Sequence, residues 1–203
     1  MSSSANISWA YSGKSDGLAG TGATVAERLL AYGFAVLITI GLVGYLRIQE
    51  HPAAFGWRAY VLSFFVFDIA GGVVANMLNS CKRLYHAPLK ENETGFLKLV
   101  KNPMAFTLLH VHPVIFAWVY GANVWIGAFW YLALICSVAV VLASPLYLRR
   151  PLATAFVVIA SLVSYYGLGF GPGFEWFIPC LFFKITLAHT VREEPYRPIG
   201  APS

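Results

Sequence analysis

Charge is scarce in this chain. Asp, Glu, Lys and Arg make up 11% of its 203 residues, against roughly 25% in ordinary soluble domains. So little charge excludes a fully water-exposed globular surface, and the 58% hydrophobic content points the same way. Cysteine is scarce too: Cys81, Cys136 and Cys180 are too few and too scattered for a disulfide framework or a Cys-type metal motif, and they read as packing residues. No H-E-x-x-H or clustered-carboxylate motif occurs. The first 22 residues lack the basic start and apolar centre of a signal peptide. Long hydrophilic stretches are missing as well; the one loop of any length covers about 81–103 and carries an amphipathic "GFLKLVKN" suited to a membrane surface.

What is present is a series of long apolar runs. A hydrocarbon core of about 30 Å takes about 20 helical residues at about 1.5 Å each, and six stretches qualify, near 24–46, 59–80, 104–121, 124–148, 152–169 and 174–190. The expected fold is therefore all-α: a polytopic membrane protein, a bundle of about six transmembrane helices. Residues 23–192 form one transmembrane domain in this reading, between a flexible Ser- and Gly-rich tail over 1–22 and a C-terminal tail over 193–203. The other connections are short, so neighbouring helices pack as antiparallel pairs.

The net charge of +5 is explained by where the cations fall, without recourse to nucleic acid. With a cytoplasmic N-terminus, Lys14, Arg28, Lys82, Arg83, Lys90, Lys98, Lys101, Arg149, Arg150, Lys184, Arg192 and Arg197 lie on or near the inner side, and Arg47 and Arg58 lie outside. That asymmetry is the positive-inside pattern. Trp57, Trp118, Trp125 and Trp176 then mark the outer interface. Both termini are expected in the cytoplasm, where the sequons at Asn6 and Asn92 stay unmodified.

Against this apolar background one segment stands out, "FDIAGGVVANMLNSCKRLYH" over 67–86. On a regular helix at roughly 100° per residue, Asp68, Asn79 and His86 project within about 20° of one another, with Asn76 and Arg83 some 60 to 80° away. A carboxylate at membrane depth is costly enough that function is its default reading; a structural clamp is the alternative. Asn76 and Asn79 also suit helix glue, and Gly71 and Gly72 suit close helix packing. Arg83, Lys82 and Arg150 double as lipid-headgroup anchors, and Lys184 as a snorkelling residue.

Two further signals fall on the same side of the membrane. In "LLHVHPVIF", Pro113 disfavours helical geometry at His112, so a kink or unwound turn is expected. Such breaks are tolerated at depth where protein or a cavity satisfies the backbone, which places His110 or His112 toward a cavity. In "KITLAHTVREEPY", His189 and Glu193 are four apart and face one another if the helix continues.

These residues lead to three functional expectations. The first is a membrane-embedded enzyme using acid–base chemistry on an amphipathic lipid or isoprenoid that enters from the cytoplasmic leaflet, in its most concrete form a proton-initiated cyclase or isomerase. Asp68, kept protonated by apolar surroundings, is then the acid, assisted by His110 and His112. Asn76, Asn79, Arg83, Lys184 and His189 hold the polar head, and Phe64, Phe65 and Phe67 flank a developing cation. No cofactor, metal or nucleic acid is expected in this version, whose partners are the substrate and membrane lipids. The second is a metal or haem protein using His110, His112 and His189, although His-x-His cannot close on one ion from a regular helix. The third is a transporter or assembly subunit without chemistry. Helix five, "LATAFVVIASLVSYYGLGF", has no counterpart of the Asp68 stripe, which removes support for an inverted repeat.

Overall fold

A computed structural model describes residues 5–10, 15–89 and 95–198; Lys14, Lys90 and Asn92, used above for orientation, lie outside the described residues. The helices are α1 (Val25–Ile48), α2 (Gly56–Met77), α3 (Asn79–His86), α4 (Phe96–Val100), α5 (Pro103–Tyr120), α6 (Val124–Ala143), α7 (Leu146–Tyr166) and α8 (Phe177–His189). Of these, α1, α2, α5, α6 and α7 are long and apolar enough to cross a membrane. Leu37 and Ile40 of α1 are 69% and 67% exposed, a placement that suits lipid and not water.

Local chemistry sets the ends. Thr24 and Glu27 form a reciprocal cap at the start of α1: the Glu27 amide donates to Thr24 Oγ1 at 3.1 Å and the Thr24 amide to Glu27 Oε2 at 2.8 Å. Asn102 and Asn123 cap α5 and α6 by accepting from Ala105 and Trp125 amides at 3.0 and 2.9 Å. The sixth expected span is shorter than foreseen. The run from Gly167 through Gly173 leaves helical geometry, with Gly171 and Gly173 at positive φ, so α8 begins only at Phe177.

The core lies between α2, α5, α6, α7 and α8 and mixes aliphatic side chains with a cluster of aromatic rings. Phe116 stacks on Phe177 at 4.0 Å, and Phe65 meets both rings edge-on. Helix α1 packs along the second half of α2, where a Cβ on Gly71 would sit 2.5 Å from Ala35 Cβ; the glycine permits this close approach.

Two expectations about the polar ends are corrected here. Residues 15–24 are no loose tail: Ser15–Asp16 (β2) pairs with Gly20–Thr21 (β3), and Ala19 and Thr21 are wholly buried against α3. Ala5–Ile7 (β1) also pairs with Tyr196–Pro198 (β4), tying the two ends of the chain together. The second span does not run on to His86. Leu78 is extended, with ψ 144°, and α3 leaves in a new direction, so Asn79, Arg83 and His86 fall off the stripe that a straight helix would give them.

Candidate functional site

Three helices depart from regular α geometry, and they do so around the same side chains. Val66–Ala70 of α2 and Phe183–His189 of α8 are π-helical, and α5 is interrupted between Leu109 and His112. A π segment inserts a residue into the turn and is frequent at functional sites. The first carries Asp68, the second Lys184, and the α5 break carries His110 next to His112. The break expected before Pro113 is thus present. Helix α6 closes on it so tightly that a Cβ on Gly127 would lie 2.6 Å from the Pro113 carbonyl oxygen.

Lys184 Nζ donates to Asp68 Oδ2 at 2.8 Å. The lysine side chain is 5% exposed and the carboxylate side chain 33%, so the pair is anchored from within and reachable at the acid. This corrects the picture of an acid isolated among apolar groups. A paired lysine makes the two groups neutral together, whether the proton sits on nitrogen or on oxygen, and that neutrality lowers the cost of holding two ionisable groups among apolar helices. It also reassigns Lys184 from headgroup contact to partner of the acid. Gly72 makes the placement sterically feasible: a Cβ there would come within 2.8 and 2.9 Å of Lys184 Cε and Cδ.

The histidines stand behind the pair. His112 Nε2 is 3.8 Å from the same Asp68 oxygen, and its ring is 4.9 Å from that of His110. His110 Nδ1 lies 2.8 Å from the Phe106 carbonyl; a carbonyl only accepts, so that nitrogen carries the proton and Nε2 is left as the basic one. Phe65 packs edge-on against His112 at 5.7 Å.

A second layer continues toward α3. Asn76 Nδ2 donates to the Lys184 carbonyl at 3.3 Å, and Asn76 Oδ1 accepts from the Tyr85 hydroxyl at 2.8 Å. His189 is wholly buried, with ring centroids 4.2 Å from Tyr85 and 4.1 Å from Phe106, and neither of its ring nitrogens has a partner among the described residues. Glu193 does not orient His189 as the four-residue spacing suggested. Its carboxylate turns to Arg150 at 2.7 Å and Lys82 at 3.5 Å.

Two expected site residues serve the termini instead. Asn79 Oδ1 accepts from the Tyr196 amide at 3.0 Å. Arg83, fully buried, donates to the Thr21 and Gly22 carbonyls at 3.1 and 3.2 Å. Lys82, foreseen as a lipid anchor, is 1% exposed and donates to the Ala188 and Val191 carbonyls at the end of α8, where a cation suits the helix terminus. Burial pushes the Lys82 amine below its usual range, with Glu193 opposing the shift. Burial, aided by the Lys82 charge, pushes His86 down to about 4, and burial raises the Cys81 thiol to about 12, leaving it inert and bonded to the Leu18 carbonyl.

Tyr85 and Phe106 were not foreseen as members of the site. Tyr85 follows Asn76 by nine residues across the turn at Leu78, and no local pattern marks such a return. Phe106 lies between two histidine-bearing elements, packing on His110 at 4.5 Å and stacking on His189. It thereby keeps His189 apart from the His110–His112 pair. Among the described residues, no group of three or more His, Cys, Asp or Glu side chains is placed to hold one metal ion.

Comparison with protein-family models, with curated proteins and with solved structures returned no match.

Proposed function

We propose that this protein is a membrane-embedded enzyme that moves protons to and from an amphipathic lipid or isoprenoid, with Asp68 and Lys184 as the exchanging pair and His112 and His110 as relay. The observation that carries this reading is the Lys184–Asp68 contact at 2.8 Å, made where α2, α5 and α8 all leave regular geometry. Distortion in three helices at one point is expensive for folding alone.

The chemistry that suits the pair is alkene isomerisation or cyclisation. With the shared proton on Asp68 and Lys184 as the free amine, transfer to one alkene carbon breaks the O–H bond and uses the π electron pair to form a C–H bond. The substrate becomes a carbocation facing a carboxylate. Loss of a proton from a neighbouring carbon to that carboxylate forms a new double bond, directly or after ring closure, and restores the starting pair. No oxidant or reductant is consumed. His112 beside Asp68 offers a second acceptor for the departing proton.

In the same reading α8 is a sixth, shorter membrane segment and both termini face the cytoplasm, because twelve of the fourteen Lys and Arg residues then lie inside. An impermeant thiol reagent added outside intact cells then spares a Lys98→Cys variant; labelling there would reverse the orientation.

The chemical test uses heavy water. Purified protein incubated with membrane-lipid and polyprenyl extracts in D2O should place deuterium on carbon in one lipid species, read by mass spectrometry. Asp68→Asn should fold normally and lower the incorporation about hundredfold or more. Full incorporation by the Asn variant would sink proton transfer by Asp68, and loss of folding would favour the clamp.

A further inference from the structure

Close to Tyr85, and away from Asp68, lies a cavity of about 450 Å³. It is lined by Lys98, Lys101, Arg149 and Arg192, with Tyr85 and His86 among its remaining walls. The four cations come from separate parts of the chain: α4 and the turn after it, the start of α7, and the segment after α8. Among the described residues no Asp or Glu lines the cavity. The acids that follow Arg192 in sequence are engaged elsewhere, Glu193 with Arg150 and Lys82 and Glu194 with Trp9 Nε1 at 2.7 Å.

Several of these cations are held in place by neighbours. Arg149 donates to the Ser144 and Leu142 carbonyls at 3.1 and 2.9 Å, Lys101 donates to the Pro88 carbonyl at 3.3 Å, and Arg192 lies over the Trp9 ring at 4.6 Å. Like charges gathered around one hollow repel each other, and a bound anion relieves that repulsion. Lys98, Arg149 and Arg192 already suit a ligand with more than one negative charge better than a single carboxylate. Arg and Lys together supply both forked and point-charge donors for phosphate oxygens.

We propose that this cavity binds a phosphate or diphosphate group, and that it is the headgroup site of the substrate processed at Asp68. The second half of the statement rests on the proposed proton-transfer function; the binding itself does not. Tyr85 connects the two places, since it lines the cavity and hydrogen-bonds Asn76, which holds the Lys184 backbone. Asn76 is eight residues from Asp68, about 12 Å along a helix. A phosphorylated head in the cavity therefore leaves a hydrocarbon chain to reach the acid.

The test is binding by the purified full chain in neutral detergent, without turnover. Inorganic diphosphate is titrated by calorimetry, and phosphatidic acid is compared with phosphatidylcholine in nanodiscs by native mass spectrometry. The variants are Lys98→Gln with Arg192→Gln, both exposed side chains, and Arg58→Gln at the other end of α2 as control; thermal unfolding checks that each is folded. Loss of two of four cations should weaken binding about tenfold or more, while the control binds as wild type. Diphosphate binding with this pattern shows that a free phosphate group suffices. Binding of phosphatidic acid alone, with the same pattern, assigns the site to a membrane lipid. No binding of either probe, or equal affinity in the double variant, would overturn the proposal. Asp68→Asn should bind as wild type, so failure of the cavity and failure of the proton chemistry are seen separately.

Discussion

The helices divide into two kinds. Helices α1, α6 and α7 are regular, their middles carry no Asp, Glu, Lys, Arg or His, and much of their surface suits lipid. By contrast α2, α5 and α8 are distorted by π segments or a break, and the same stretches hold Asp68, His110, His112, Lys184 and His189. The first kind follows the rules of a membrane helix and the second violates them in concert. Departures that coincide in space, in helices far apart in sequence, mark the place where the fold is shaped by something besides packing.

The contrast breaks most sharply under substitution. Lys184→Met should lower deuterium incorporation about hundredfold or more, in line with the loss of an acid–base group. Leu134→Ala, at a wholly buried position of regular α6, should destabilise the fold by about 2 kcal/mol or more and leave the rate within about twofold. Detergent-solubilised thermal unfolding and the D2O assay read the two effects separately. If both substitutions act on stability alone, the distorted helices are only another way to pack.

A smaller effect is expected at Gly72. The Gly72→Ala methyl would overlap the far part of the lysine stem, at Cδ and Cε, which is flexible enough to move. Folding should be nearly unchanged, while the Lys184–Asp68 distance grows and the rate falls about tenfold. A rate equal to wild type would mean that the 2.8 Å contact is not needed.

The distinction has a limit, because the regular helices were legible in the sequence and the site only in part. The run over 124–148 announced α6 by hydropathy, since unpaired backbone is untenable in hydrocarbon, although Ser144 and Pro145 end that helix at Ala143 and α7 starts at Leu146. Pro113 announced the break beside His112, and a lone carboxylate in an apolar run announced Asp68. The Lys184–Asp68 contact was not legible, because a lysine near a helix end can also snorkel and its partner lies 116 residues away. The projection to Asn79 and Arg83 failed for a local reason: the π segment at Val66–Ala70 shifts the register, and Leu78 turns the chain without a Pro or Gly to mark it. Ser- and Gly-rich composition suggested a loose N-terminus, yet buried Arg83 needs carbonyl acceptors, and Thr21 and Gly22 supply them.

A separate effect, on pH dependence alone, is expected at His86 in α3. His86 is held near 4 in the folded chain against an ordinary value of 6.5. Between these values the unfolded chain binds a proton that the folded chain does not, so folding stability is full above about pH 6.5 and declines as the pH falls toward 4. The contribution is at most about 3 kcal/mol. His86→Gln should flatten thermal unfolding between pH 6.5 and 4.5; an unchanged slope would assign the acid sensitivity to other groups.

The central claim is that Asp68 and Lys184 act as one unit. A double-mutant cycle tests it, with deuterium incorporation rates for wild type, Asp68→Asn, Lys184→Met and the combination. Groups that share a single proton fail together, so the double variant should be no slower than the worse single variant, within about twofold. Rate losses that multiply in the double variant would show two independent contributions, and the pair as the seat of the chemistry would be contradicted.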